Sequence, residues 1–295
     1  MERYTVVRRL AATRSGQVLL CTDRQTGASV VVKRVKMQTG RWRPAMSVER
    51  QVHRHLTKGD ASGHGHILNL IDDFTQDGFE HLVLEYCSNG ELFDLVDDMP
   101  EGHLDAQDAE KYFQQICDAV QYMHSRGIAH CDLSLENVLV DAHGVLKVSD
   151  FGLSMAIEKR RRHAVGKMFY MAPEMHTGQT YNPVKADVWS LGVMLFIMLT
   201  GNPPVESSEE DNSVIQFVRE RGWRALVSAW DFNDLISPDA MDLLEKMLQL
   251  NPSERCSMSD VLSHPFMKGG PEAHVYDEVL SRKLSGMHLA PSIAL

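Results

Sequence analysis

Cysteine is scarce and unpatterned in this chain: Cys21, Cys87, Cys117, Cys131 and Cys256 stand far apart, with no C-x-x-C among them. An odd, scattered set argues against a disulfide framework and a zinc ribbon and suits a reducing compartment, so a cytoplasmic or nuclear location is expected. An apolar leader is missing as well, because residues 1–10 are charged, which predicts no signal peptide. No hydrophobic run is long enough to span a bilayer. The longest, 188–199, is broken by Ser190 and reads as a buried helix, so no membrane partner is expected. Positive charge is in deficit, with 30 Lys+Arg against 40 Asp+Glu and a net charge of −10. That balance argues against a nucleic-acid partner, which demands basic surface to displace counterions from phosphate. Zinc spacing is absent too: the pairs His53/His55 and His64/His66 lack further ligands. What remains is 43% hydrophobic and 24% charged, without repeats, which fits one large globular domain or two small ones.

The two ends of the chain differ in texture. Short β-rich runs at 18–22, 29–35 and 81–86 are separated by turn residues such as Thr26-Gly27 and Gln76-Asp77-Gly78. One helix is predicted among them at 41–56, with Pro44 in its first turn and Val48, Val52 and Leu56 recurring every fourth residue. Beyond Gly90 the pattern becomes helical. The stretch 104–125 carries Phe113, Ile116, Cys117, Val120 and Met123 at helical spacing behind an Asp105 cap, and Ser237-Pro238 opens another helix running to Leu248. A small β-rich lobe followed by a larger helical one is expected, with the boundary near residues 87–90. Segments 58–65 and 206–211 read as solvated surface. Segment 270–295 is either a flexible tail or a short docked helix with Tyr276, Val279, Leu280 and Leu284 on one face; the tail is the preferred reading.

Polar chemistry concentrates at His130-Cys131-Asp132-Leu133-Ser134-Leu135-Glu136-Asn137. A predicted strand at 138–140, a turn at 141–144, a second strand at 145–149 and then Asp150-Phe151-Gly152 follow. Such a hairpin brings its ends together, so Asn137 and Asp150 are expected side by side. An amide oxygen beside a carboxylate supplies hard donors of the kind Mg²⁺ takes when it carries a polyphosphate. Asp132, five residues earlier, is placed to meet the hydroxyl of an incoming substrate. On the helix at 41–56, Glu49 shares a face with Val52, His53 and Leu56, and an inward carboxylate needs a cation. Lys33, ending the apolar run 30–33, is the natural one; the alternative is an exposed Glu49 paired with Arg50 or Lys58.

These residues resemble the eukaryotic protein kinase family. The motif H-R-D-x-x-x-x-N is present with Cys131 in place of the arginine, then D-F-G at 150–152 and A-P-E at 172–174, in the family's order. The likeness covers about residues 4–268 and continues in Asp187-Val188-Trp189-Ser190-Leu191-Gly192 and in Arg255, which in the family pairs with the A-P-E glutamate, here Glu174. It implies an α+β, bilobal fold: a small β-rich N-lobe with one main helix over 4–87, a larger helical C-lobe over 88–268, and a tail over 269–295. It further implies transfer of the γ-phosphoryl of ATP to a protein hydroxyl with Mg²⁺. Asp132 would act as base, Asn137 and Asp150 would hold metal, and Lys33, braced by Glu49, would hold the α- and β-phosphates. Serine or threonine is the implied acceptor, from the form of residues 170–174 and of the catalytic loop.

Several positions depart from the family pattern. Its glycine-rich cover loop falls on Ala11, Ala12, Thr13, Arg14, Ser15, Gly16, Gln17 and Val18, where only the third glycine survives. Ala11 and Thr13 restrict the approach of backbone amides to phosphate. Glu85 and Cys87, in Leu84-Glu85-Tyr86-Cys87, match the hinge whose backbone meets adenine. A pseudokinase-type nucleotide-binding scaffold is the alternative, suggested by Ala11, Thr13 and Ser134. Glu91 and Glu136, with Asp94, Asp97 and Asp98 nearby, match acidic positions that favour basic residues beside the phospho-site; an ordinary solvated acidic face is the other reading. In Ser/Thr kinases the residue two after the catalytic Asp is usually a lysine that holds the γ-phosphate, and a threonine faces it from the substrate-side loop. Here those positions hold Ser134 and Lys167, so the resemblance implies an exchange of places, with Lys167 supplying the charge beside Asp132 and Ser134 as its hydroxyl partner. The alternative is a solvent-facing Lys167. Between Asp150 and Glu174 the only hydroxyl side chains are Ser154 and Tyr170, and the arginine that would receive a phosphate is Cys131. Activity without phosphorylation of this segment is therefore expected, with 159–162 a solvated basic run or a contact for an acidic partner.

Overall fold

Residues 1–13, 16–37, 45–57 and 64–268 are described by the computed structural model. Period-two side-chain alternation builds the first lobe. Its five strands, β1 (Tyr4–Thr13), β2 (Gly16–Asp23), β3 (Ser29–Lys36), β4 (Leu70–Gln76) and β5 (Phe79–Glu85), form an antiparallel sheet in the order β1-β2-β3-β5-β4. On the interior strand β5, Leu82 and Leu84 pack against Leu68 and Cys87 on one side of the sheet, while Val83 joins Leu19, Cys21, Val30 and Val32 on the other. The two strands that composition did not suggest, β1 and β4, are the two edges. An edge strand is paired on one side only and tolerates polar or interrupted patterns. Accordingly β4 contains Asp72 and Asp73, and the register of β1 slips between Val6 and Arg8 and again between Arg9 and Ala11.

Helix α1 (Ala45–Leu56) lies beside this sheet. Its Pro44 start falls outside the described residues. So do the greater part of the polar loop at 58–65, the tip of the cover loop at 14–15, and the tail at 269–295. Glu49, Val52, His53 and Leu56 share the inward face, all buried. Val52 and Leu56 belong to the same apolar cluster as the second lobe, so α1 is packed between the lobes.

The second lobe consists of α2 (Leu92–Asp97), α3 (Ala106–Ser125), α4 (Pro183–Thr200), α5 (Ser213–Arg221), α6 (Trp223–Ala229), α7 (Pro238–Met247) and α8 (Met258–Ser263). Two short ladders accompany them: β6 (Ile128–Ala129) pairs with β9 (Met155–Ala156), and β7 (Val138–Val140) with β8 (Leu146–Val148). The caps explain where the helices begin. Asp105 accepts the amide of Asp108 at 2.8 Å, Asn182 that of Val184 at 3.1 Å, and Ser237 that of Ala240 at 3.2 Å. Helix α4 is apolar all round and 89% buried, so its membrane-like composition belongs to the centre of the core. Beneath it Arg255, 1% exposed, reaches Glu174 through two bonds of 2.6 and 2.8 Å, the bidentate pair implied by the resemblance. The segment 206–211 is only partly the solvated surface expected. Ser208 is buried and donates to the Met171 carbonyl at 2.6 Å, while Glu209, Glu210 and Asp211 are exposed.

His53 is the costly residue on α1. Its ring is fully buried edge-on to Phe151, with centroids 4.7 Å apart, and neither nitrogen has a hydrogen-bond partner among the described residues. Burial, helped by the Lys33 charge, pushes its pKa down to about 3. Above the ordinary histidine pKa near 6.5 both folded and unfolded chains are neutral here, so the ring carries no protonation penalty. As pH falls below that value the unfolded chain gains a proton that the folded one refuses, and stability drops by about 1.4 kcal/mol per pH unit towards pH 3. His53→Leu should therefore raise the urea midpoint at neutral pH and flatten its decline between pH 6.5 and 4. Equal pH slopes in the two proteins would contradict this account.

Candidate active site

Everything at the centre of the cleft is hung from Asp187, a buried carboxylate on α4. Its oxygens accept the backbone N–H of His130 at 2.9 Å and of Cys131 at 2.8 Å, and it pairs with His124 Nε2 at 2.9 Å. This grip holds Cys131 in the left-handed region at φ 64°, a conformation that costs a non-glycine residue about 1–3 kcal/mol. The turn sets the direction of Asp132. His130 Nδ1 accepts the Asp132 amide at 3.2 Å and its Nε2 faces the Ser149 carbonyl at 3.0 Å, so the ring is the Nε2–H tautomer.

Asp132 Oδ2 accepts from Asn137 Nδ2 at 3.1 Å, whereas Oδ1 is buried without a hydrogen-bond partner among the described residues. Burial pushes this carboxyl up against the opposing pull of Lys167, His130 and the Asn137 bond, as suits a proton acceptor. The facing loop comes close only because Gly166 has no side chain: at φ 94°, a Cβ there would stand 2.9 Å from Asp132 Oδ1.

Asn137 and Asp150 do not face each other directly. The ladder closes at Val138–Val148, so the residue opposite Asn137 is Ser149, whose amide and hydroxyl both donate to the Asn137 carbonyl at 2.8 and 2.9 Å. Asp150 comes one residue later, at φ 59°, and this turn aims its carboxylate at Lys33, with Oδ1 3.6 Å from Nζ. Burial would raise the Asp150 carboxyl, but Lys33, the Gly152 amide and His130 together bring it below its ordinary value. Lys33 sits on β3 and donates to Glu49 Oε2 at 2.7 Å, the inward pairing expected of α1. Burial weakens the Lys33 ammonium, and Glu49 and Asp150 more than restore it. Asp150, with its side chain 49% exposed, and the Asn137 amide oxygen form a hard donor set that fits Mg²⁺ carrying phosphate.

That Asn137 oxygen is engaged by Lys167. The ammonium donates to Ser134 Oγ at 2.7 Å and to Asn137 Oδ1 at 3.2 Å, with Glu136 Oε1 3.8 Å away. The expected hydroxyl partner is therefore present, and the ammonium reaches Asp132 by way of Asn137, whose amide nitrogen binds that carboxylate. Glu136 also accepts from the Tyr170 hydroxyl at 3.0 Å. Glu91, pushed up by burial and by Asp94 and Glu136, stands in an acid-crowded spot, while Asp94, Asp97 and Asp98 are exposed.

The nucleotide end is less complete. Ala11 pairs with Val18 and Thr13 with Gly16 across the β1–β2 turn, and Val18 is opposite Lys33 on β3. Gly16 has a packing reason to be glycine, since a Cβ would lie 1.9 Å from the Arg34 carbonyl. At the hinge, the Glu85 carboxylate is turned away to the Asn69 amide at 2.7 Å and to Lys147 at 3.6 Å, which leaves ligand contact to the backbone. Cys87 is a packed thiol, pushed up to about 12 by burial. Sequence reasoning assigned no role to Asp187, Gly166 or His53. The signal for Asp187 was an acid entering an otherwise apolar helix, and for His53 its position four residues after Glu49.

Residues 4–267 match the family described as Protein kinase domain. Among curated proteins, the chain is 34% identical over 273 residues to CBL-interacting protein kinase 21 of Oryza sativa subsp. japonica, covering 91% of this chain and 50% of that one. It is 32% identical over 281 residues to CBL-interacting serine/threonine-protein kinase 26 of Arabidopsis thaliana, covering 94% and 61%. To an Aurora kinase of Patiria pectinifera it is 32% identical over 272 residues, covering 91% and 63%. The chain thus spans about half to three-fifths of the length of these curated relatives.

The Lys167–Ser134 bond makes the exchange of places testable. Lys167→Ala should lower kcat for phosphoryl transfer by about 10²- to 10³-fold with little change in ATP affinity. Ser134→Lys with Lys167→Thr should recover much of that loss, a coupling absent between independent sites. Steady-state kinetics of the single and double variants decide it; a silent Lys167→Ala removes the lysine from the chemistry.

Proposed function

The chain belongs to the protein kinase family, and from that premise we propose that it is a serine/threonine kinase moving the γ-phosphoryl of ATP to a protein hydroxyl. The observation that carries this reading is Asp132 Oδ1, buried and free to accept, with the Asn137 carboxamide on the other oxygen and the Lys167 ammonium held on that carboxamide. In the reaction Asp132 orients the acceptor hydroxyl and takes its proton as the oxygen attacks the γ-phosphorus. Lys33, fixed by Glu49, orients the α- and β-phosphates. Lys167 lies beside the attacking and transferring groups and offsets charge that builds on the phosphoryl oxygens. Asp150 and Asn137 would hold Mg²⁺, which supplies charge neutralisation to the phosphates when bound. The bilobal kinase domain is taken as residues 4–268, and no feature of the described residues favours the scaffold alternative.

Two finer readings belong to the same proposal. Substrates carry basic residues beside the acceptor, because Glu91 is crowded by Asp94 and Glu136 and gains from an incoming cation. Five free cysteines, four of them buried, suit a reducing compartment such as the cytoplasm or nucleus.

Separate roles for the two aspartates give the test. Asp132→Asn should cut turnover by about 10²- to 10⁴-fold while Mg-ATP still binds, whereas Asp150→Asn should weaken Mg-ATP binding as well. Calorimetric nucleotide binding beside a peptide-array assay reads both, and full phosphoryl transfer by both variants would end the kinase assignment. Activity should also survive phosphatase treatment. Ser154 is buried with its hydroxyl on the His130 carbonyl at 3.3 Å, and Tyr170 is buried on Glu136, so neither is offered to an upstream kinase. Loss of activity that maps to a phosphate within 150–174 would refute this.

A further inference from the structure

Four successive cations, Lys159, Arg160, Arg161 and Arg162, follow β9 in the segment that leads to Gly166. Lys159, Arg160 and Arg162 are exposed, and Arg161 alone is half-buried. A single antiparallel bridge causes the difference. The Tyr181 amide donates to the Arg161 carbonyl at 2.9 Å, and in extended backbone neighbouring side chains leave on opposite sides. Arg160 is spent on its own backbone, donating to the Ile157 and Lys159 carbonyls at 3.2 and 3.1 Å. Arg161 Nη1 is buried and has no hydrogen-bond partner among the described residues. Its surroundings are those of the catalytic loop: Tyr181, to which it is bridged, lines one cavity with Cys131, Asp132 and Asp187.

We propose that Arg161 is a positioning residue that fastens the segment to the catalytic loop by setting a fixed positive charge beside Cys131 and near the buried Asp187. The inference rests on the kinase reading and names its regulation. Position 131 contributes no charge of its own, because the Cys131 thiol is buried and pushed far up by that burial. Asp187 places negative charge under the loop, where attraction to a cation is strong in a low-dielectric interior. Tyr181, buried itself, adds a second tie by donating its hydroxyl to the His163 carbonyl at 3.1 Å. Held in this way, the segment presents Gly166 and Lys167 to Asp132 and Ser134 without a phosphate. Arg161 thus fastens the segment with a cation of its own, the reverse of a loop arginine that holds a phosphate on the segment.

Four variants of the full chain test the idea. Arg161→Met keeps the stem and removes the charge; it should lower kcat at least about tenfold with KM for ATP nearly unchanged. It should also speed hydrogen exchange across 155–171 and open Cys131 to thiol labelling, read peptide by peptide by mass spectrometry. Arg162→Met, an exposed neighbour, should change none of these. Arg161→Lys should keep most of the activity. Wild-type kcat and exchange in Arg161→Met, or an equal loss in Arg162→Met, overturns the proposal; Arg161→Gln gives the same test should the methionine variant fail to fold. If the wild-type chain phosphorylates no peptide, the kinase reading fails, while exchange and labelling still decide the role of Arg161.

Discussion

Two consecutive backbone amides held by the Asp187 carboxylate set the course of the loop that carries Asp132. The Asp187 side chain is held in the core of the second lobe by α4. With those amides fixed, Cys131 must adopt its left-handed turn, Asp132 must face the cleft, and the His130 ring must bridge the loop to Ser149. A carboxylate buried this deeply is tolerable because each oxygen accepts from a backbone N–H and the pair with His124 adds a third contact. Rigid support under a reactive carboxylate is how a fold lowers the cost of reorganisation at the moment of reaction.

Lys33 and Lys167 illustrate different ways of holding a charge. Lys33 rises from a central strand and meets Glu49, so its position reports whether α1 is seated against the sheet. Lys167 stands on the opposite side, on a loop whose approach depends on Gly166 and whose ammonium is divided between a serine and an asparagine. One cation is tied to the first lobe, the other to the segment that faces substrate. The Phe151 ring, between His53 and His130, links the two halves, with centroid separations of 4.7 and 5.6 Å.

Much of this arrangement was legible in the residues, for reasons that can be named. Strand β5 is a short continuous apolar run and helix α3 is strongly periodic, and Asp105 and Ser237 cap as their side chains dictate. Glu49 could be placed inward because its helix neighbours at i+3, i+4 and i+7 are those of the buried face. What escaped notice depends on contacts distant in sequence or on edges. Strands β1 and β4 carry charged residues that an edge tolerates, and the pairing of Asn137 with Ser149 depends on where a three-residue ladder stops. Asp187 lies 56 and 57 residues beyond the amides it holds, and the inward turn of Arg161 comes from one bridge to Tyr181. No local pattern encodes either.

On the proposed function, the position of Lys167 also shapes the response to disturbance. Were the phosphate-facing cation on the catalytic loop, displacement of the substrate-facing segment would disorder the acceptor but leave the charge in place, and activity would fade by degrees. Here the ammonium travels with the segment that also carries Gly166 and Arg161. With the roles proposed for these residues, displacement removes acceptor alignment, electrostatic stabilisation and the fastening to the loop in one movement. Such a device behaves as a threshold: small perturbations are absorbed, and beyond a certain point output collapses together rather than in proportion.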